Sequence, residues 1–250
     1  MTDPVLFSAE LIERLREAKR VVALTGAGIS AESGVPTFRD ALRGLWAKFD
    51  PRELATPSAF ERNPKLVWDW YAARREQVAK VAPNAGHYSL AAMEERIPHF
   101  VVATQNVDGL HARAGSRNIV ELHGNIARVK CSREHRIVER WSQVDDSLPP
   151  RCACGAFLRP DVVWFEEMLP EDALSKAEDE AHRCDVLLVV GTSGEVYPAA
   201  ALPHYAKRNS ARIVEINPNA TDLSALADDL LRAPSGVALP ALVAAVWPDR

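Results

Sequence analysis

The chain has 250 residues, of which 47% are hydrophobic and 26% charged, with a formal net charge of −4. These values exclude a wholly disordered chain, and only 12 glycines exclude a collagen-like one. The acidic balance argues against binding nucleic acid through bulk charge, no apolar run approaches the ~18 residues of a membrane span, and the first twenty residues lack a signal-peptide core. The expected setting is therefore cytoplasmic, with no direct nucleic-acid partner and no membrane partner.

At roughly 150 residues per domain, the length suits one large domain or one domain carrying an inserted module. Ser8 followed by Ala9-Glu10-Leu11-Ile12-Glu13-Arg14-Leu15 reads as an N-cap and an amphipathic helix. Arg20–Leu24 is a short aliphatic run of strand length, and Phe100–Ala103, Asp185–Val190 and Arg212–Ile216 repeat it, with helical stretches between them. Continuous apolar strands alternating with helices indicate a parallel sheet covered on both faces, an α/β doubly wound core. Two segments depart from that pattern. Residues 41–82 are helix-rich and aromatic (Trp46, Phe49, Phe60, Trp68, Trp70, Tyr71), and residues 125–162 hold three cysteines and Pro149-Pro150. Both read as insertions that together make a smaller lobe beside residues 1–40, 83–124 and 163–250, leaving a cleft between the two.

Five polar clusters follow or adjoin the predicted strands, where a doubly wound fold places its ligand. Thr25-Gly26-Ala27-Gly28-Ile29-Ser30 offers two glycines for a tight turn against a pyrophosphate, although Gly34 comes too late for a G-x-G-x-x-G motif. Phe38-Arg39, further along that loop, could cover a ring and reach an anion. Thr104-Gln105-Asn106-Val107-Asp108 places hydrogen-bonding side chains at a strand's carboxyl end, although Asn106 or Asp108 could equally cap a helix. His123, in Glu121-Leu122-His123-Gly124, is a candidate general base because imidazole titrates near neutral pH. Gly191-Thr192-Ser193-Gly194 and Asn217-Pro218-Asn219 offer backbone N–H groups, hydroxyls and an amide to a ribose or a phosphate.

Taken in order, Gly26–Ser30 with Ser33–Arg39, Gln105-Asn106-Val107-Asp108, His123-Gly124, Gly191-Thr192-Ser193 and Asn217 resemble the sirtuin (Sir2-like) pattern over roughly residues 15–245. The resemblance implies NAD as co-substrate, acylated lysine side chains of proteins as substrates, and a Rossmann-like doubly wound parallel sheet. It also implies a smaller inserted domain built from a helical part and a degenerate zinc-ribbon part. In its terms, Gly26, Ala27, Gly28 and Arg39 hold the NAD phosphates and the nicotinamide ribose. Gln105, Asn106 and Asp108 line the ribose and nicotinamide pocket, with Asn106 and Asp108 counted alongside His123 as catalytic. His123 is the base on the ribose hydroxyls, and Gly191, Thr192, Ser193 and Asn217 bind the adenosine half. Val163-Trp164-Phe165 would flank the substrate peptide and, with Gly194-Glu195-Val196, pair it as an added strand. The family's segment usually runs on to Gly, where this chain has Glu166. The implied products are free lysine, nicotinamide and O-acyl-ADP-ribose. A general deacetylase and an ADP-ribosyltransferase are alternatives on the same NAD chemistry.

Tyr71 and Arg74 stand three apart and share a face if helical, so a phenol and a guanidinium lie side by side. That pair suits a carboxylate-terminated acyl chain such as succinyl or malonyl, and within the resemblance Tyr-x-x-Arg marks the class III, desuccinylase-like members. The alternative is an aromatic core residue beside a solvated Arg74-Arg75-Glu76 face. The four cysteines divide unevenly. Cys184 adjoins an apolar strand and reads as packing. Cys131, Cys152 and Cys154 supply three of the four ligands that structural zinc takes, the fourth being missing or supplied by Glu134 or His135, of which His135 is the better ligand type. Zinc is therefore left open.

Overall fold

The computed structural model describes residues 6–35, 54–142 and 148–248. In chain order the elements are α1 (Ala9–Glu17), β1 (Arg20–Thr25), α2 (Gly28–Ala31), α3 (Pro57–Arg62), α4 (Pro64–Lys80), α5 (Ala85–Glu94), β2 (His99–Thr104), α6 (Leu110–Arg113), β3 (Ile119–Glu121), β4 (Gly124–Cys131), β5 (Leu158–Val162), α7 (Glu171–Arg183), β6 (Val186–Val190), a 3₁₀ turn (Ala199–Ala201), α8 (Leu202–Arg208), β7 (Arg212–Ile216), β8 (Asp229–Leu231) and α9 (Ser235–Val246). The four aliphatic runs read from sequence form β1, β2, β6 and β7. Ser8 caps α1, its hydroxyl accepting from Leu11 N at 3.1 Å. Strands β3 and β8 escaped the sequence reading because three residues are too few to show a pattern.

The six strands pair in the order β3-β2-β1-β6-β7-β8, all parallel. This is the Rossmann order, with its switch point at β1, where the chain crosses from one half of the sheet to the other. Strands β1, β2, β6 and β7 end flush: Thr25 lies opposite Thr104 and Val190, and Val190 opposite Ile216. Consequently the segments that follow them emerge along one edge. One sheet face packs Val21, Ala23, Val102, Leu188 and Val214 against α1, α5 and α9. The other packs Val22, Leu24, Val101, Leu187 and Ile213 against α7 and α8. With both faces covered, each fully buried Leu or Ile contributes roughly 1.5–3 kcal/mol.

Two separate apolar clusters lie outside that sheet. In one, Phe60, Val67, Trp70 and Tyr71 from α3 and α4 meet Ile126, Val162 and Trp164. In the other, Trp68 meets Val129, Cys131, Cys152 and Leu158 around the antiparallel pair β4–β5. Among the described residues, no helix is long and apolar enough to cross a membrane.

Candidate active site

The turns after β1 and β6 interlock through their backbones. Gly26 N donates to Val190 O at 3.0 Å and Gly28 N to Gly191 O at 2.8 Å. The approach tolerates no side chain: a Cβ on Gly28 would lie 2.7 Å from Gly191 Cα, and one on Gly191 would lie 2.5 Å from Ile29 N. Gly191 also holds φ +60, in the left-handed region that glycine enters without strain. The result is a bare backbone cradle at the switch point, shaped for close approach of a phosphate-bearing ligand. Ala27 lies within that turn. Gln105 Nε2 reaches across to Thr192 Oγ1 at 3.0 Å, Asn217 Nδ2 donates to Thr192 O at 3.2 Å, and Ser193 is half-buried beside them. Arg39, with the rest of Pro36–Arg39, Trp46 and Phe49, lies outside the described residues.

A polar network fixes the 105–108 segment to the same cradle. Asn106 Nδ2 donates to Gly26 O at 3.0 Å and to Ser30 Oγ at 3.1 Å, and Ser30 Oγ donates to Asp108 Oδ2 at 2.7 Å. The other Asp108 oxygen accepts from Leu110 N at 2.9 Å, so this carboxylate holds the turn leading into α6 and joins the network at once. His87 completes the chain. Its Nδ1 accepts from Asn84 N at 3.3 Å, so the ring proton sits on Nε2, which faces Ser30 Oγ at 3.4 Å. Beneath it, His111 Nε2 meets Thr25 Oγ1 at 2.9 Å, and burial pushes its pKa down to about 3. Burial lowers His87 as well, so both imidazoles are neutral at pH 7. Ser30, His87 and His111 were not singled out from sequence as site residues; the available signal was the polar run Pro83-Asn84-Ala85-Gly86-His87 opening a helix.

His123 has a defined tautomer. Its Nδ1 lies 2.9 Å from Gln105 O, and a carbonyl can only accept, so Nδ1 carries the proton. The lone pair is then on Nε2. Burial lowers the imidazole pKa, opposed in part by the Gln105 carbonyl, so the neutral base predominates at pH 7. A neutral imidazole with an oriented lone pair is what general-base catalysis requires.

Tyr71 and Arg74 both lie on α4, and both are withdrawn from solvent. Burial raises the Tyr71 phenol to about 12 despite the nearby Arg74 charge, and burial lowers Arg74 below the usual guanidinium range. Arg74 stacks on Trp70 with its guanidinium carbon 4.8 Å from the ring centroid. The solvated-face alternative for Arg74 therefore fails, while Tyr71 is both a core residue and a polar one: its oxygen accepts from Trp164 Nε1 at 3.1 Å.

Trp164 begins a turn closed by Glu167 N donating to Trp164 O at 3.1 Å, with Glu166 at φ +72. Glu166 thus keeps the shape a glycine would give, at a cost of about 1 kcal/mol. The N–H groups of Val163, Trp164 and Phe165 donate to His123 O, Glu167 Oε2 and Ala55 O, each at 2.9 Å. A peptide pairing with this segment must therefore use its carbonyl oxygens.

Cys131, Glu134, Cys152 and Cys154 bring one ligand atom each to within 4.8 Å of one another. The fourth member is Glu134 and not His135. Both residues are exposed and His135 is at φ +56; Glu134 N donates to Cys131 Sγ at 3.3 Å, which holds the Glu134 backbone beside the thiols. Three thiolates and a carboxylate are a donor set that zinc accepts. Arg136 shares the cluster, lying 2.5 Å from Glu134 and 3.2 Å from Cys152 Sγ. Cys184 is buried in the sheet core, as read from sequence, and burial raises its thiol to about 12.

Residues 26–198 match the model of the Sir2 family. A curated relative from Aquifex aeolicus, named NAD-dependent protein deacylase, is 54% identical over 213 residues, covering 85% of this chain and 89% of that one. Another of the same name, from Thermus thermophilus, is 51% identical over 240 residues and covers 92% of each chain. Among solved structures, a Sir2 homologue in complex with NAD superposes with a TM-score of 0.90 at 45% identity, covering 98% of this chain and 96% of that one. A Sir2 bound to acetylated peptide does so at 0.83 and 31% identity, covering 94% and 96%.

Proposed function

The chain belongs to the Sir2 family, and from that premise we propose that it is an NAD-dependent protein lysine deacylase that removes acid-terminated acyl groups, succinyl and malonyl, in preference to acetyl. NAD-dependent deacylation is supported by the curated relatives. The acyl preference rests on one observation: a buried guanidinium and a buried neutral phenol stand on one face of α4. Side by side in apolar surroundings, the two suit a carboxylate, which accepts a charge-assisted bond from the guanidinium and another from the O–H.

The glycine turns support the fit of NAD: Gly28 and Gly191 pack backbone to backbone with no room for a side chain, and a bare glycine turn opening a helix is a ready site for a pyrophosphate. When bound, NAD supplies an electrophilic ribose carbon and a nicotinamide leaving group. Gly26, Ala27 and Gly28 would hold its phosphates, with Arg39 as a further contact in the reading from sequence. Gly191, Thr192, Ser193 and Asn217 would hold the adenosine half, and Gln105, Asn106 and Asp108 the nicotinamide side. His123 Nε2 would take a proton from a ribose hydroxyl. Val163, Trp164 and Phe165 would flank the acyl-lysine peptide. Residues 1–40, 83–124 and 163–250 form the NAD-binding domain in this reading, and 41–82 with 125–162 the smaller one, consistent with the separate apolar clusters. Zinc would be held by Cys131, Cys152 and Cys154 with Glu134, stapling the turns that follow β4 and precede β5.

The test is incubation with NAD and acylated peptides, with products read by mass. Free lysine, nicotinamide and O-succinyl-ADP-ribose are expected. ADP-ribose attached to protein, with the acyl group intact, would contradict deacylation.

A further inference from the structure

The Tyr71 hydroxyl has an unusual hydrogen-bond balance. It accepts from Trp164 Nε1 at 3.1 Å, yet among the described residues no acceptor receives its own proton. Both rings are buried, Tyr71 at 3% and Trp164 at 2% exposure. Because burial raises the phenol to about 12, the proton stays on the oxygen throughout the neutral range. A buried O–H without an acceptor is left short of the partner it had in water, and a ligand oxygen would supply one.

Trp164 is itself held on several sides. The Arg159 guanidinium carbon lies 3.2 Å from its ring centroid, and Phe60 packs at 5.3 Å. Arg159 is 3% exposed and is fixed by both Glu167 oxygens, at 2.5 and 2.9 Å, and by Val162 O at 3.0 Å. Glu167 also accepts from Trp164 N at 2.9 Å. One ion pair, its Arg159 buried and its Glu167 half-buried, therefore fixes both the backbone and the ring plane of Trp164, and so aims its N–H.

We propose that Trp164 is a positioning residue for acyl-chain selection: its indole N–H occupies an acceptor site of the Tyr71 oxygen and turns the phenolic O–H toward the carboxylate of an acid-terminated acyl group, with Arg159 and Glu167 fixing the indole. This deepens the acid-chain reading above and rests on it. An acyl chain ending in a methyl offers no oxygen there, so the contact acts on selectivity between chains.

The experiment compares kcat/KM for matched succinyl and acetyl peptides in the wild type, Trp164→Phe, Tyr71→Phe and the double variant. Trp164→Phe keeps an aromatic ring and removes the donor. The succinyl-to-acetyl ratio is expected to fall roughly five- to tenfold, chiefly through KM for the succinyl peptide. The double variant is expected to fall no further than Tyr71→Phe alone, because the two residues act as a unit. A wild-type ratio in Trp164→Phe, or losses that multiply in the double variant, would overturn the proposal. An independent readout is the Trp164 indole N–H signal in ¹H–¹⁵N spectra, identified by its loss in Trp164→Phe. It is expected to move in Tyr71→Phe; an unmoved signal would overturn the contact. A wild type with no succinyl preference would overturn the acid-chain reading and this role with it, and the indole signal would then show whether the hydrogen bond itself stands.

Discussion

The strand-end cradle and the proposed acyl pocket are built by different means. In the cradle, backbone atoms do most of the work. Flush strand ends bring four segments to one edge, and Gly28 and Gly191 touch through atoms every residue has. In the proposed acyl pocket, side chains do it: Tyr71 meets Trp164 across 93 residues of sequence, and Trp164 is held by an Arg159–Glu167 pair from β5 and the turn after it, outside α4 and the six-stranded sheet. The first device leaves little room to vary without losing the turn. The second can change its preference by altering one donor or one charge while the sheet stays intact.

The sharpest way to break this comparison is at His123. His123→Ala is expected to lower kcat roughly 10³-fold on every acyl substrate alike, with binding of NAD retained, as isothermal titration would show. A loss confined to succinyl peptides would dissolve the distinction between the two regions. The same residue sets a pH signature. Its pKa is lowered by burial and its neutral form is the base, so activity is retained above the pKa and lost as pH falls through it. The acid limb of kcat/KM is expected to have its midpoint below 6.5, and a midpoint above 6.5 would remove His123 from the role.

A smaller effect sharpens the account of the thiol cluster. About one zinc per chain is expected after a chelator wash, by elemental analysis. Glu134→Ala is expected to weaken retention roughly tenfold or more, and His135→Ala to leave it unchanged. The reverse pattern would restore His135 as the ligand.

What was legible in the sequence follows the same division. The strands β1, β2, β6 and β7 and the polar residues just after them were readable, because a strand and its following turn are contiguous and the apolar run marks where the turn must lie. His123 was readable as a base, though not its tautomer, which depends on the Gln105 carbonyl. Ser30 and His87 were missed as site residues because their contact spans 57 positions and neither type is diagnostic alone. Ligand chemistry favours His135 over Glu134 in the sequence, whereas the fold groups a Glu134 oxygen with the three thiols, a proximity that depends on the turn after β4 and leaves no mark in residue type. Arg159 and Glu167 gave no signal, since a charged pair eight residues apart in sequence ordinarily sits in solvent.

The most direct test of the central claim is the ratio of kcat/KM for succinyl over acetyl on one peptide sequence, measured in the wild type and in Arg74→Ala. A wild-type ratio well above one that falls roughly thirtyfold or more in the variant is predicted, since a buried charge-assisted contact of about 2 kcal/mol or more is removed. A ratio at or below one in the wild type, or one that Arg74→Ala leaves unchanged, would contradict it.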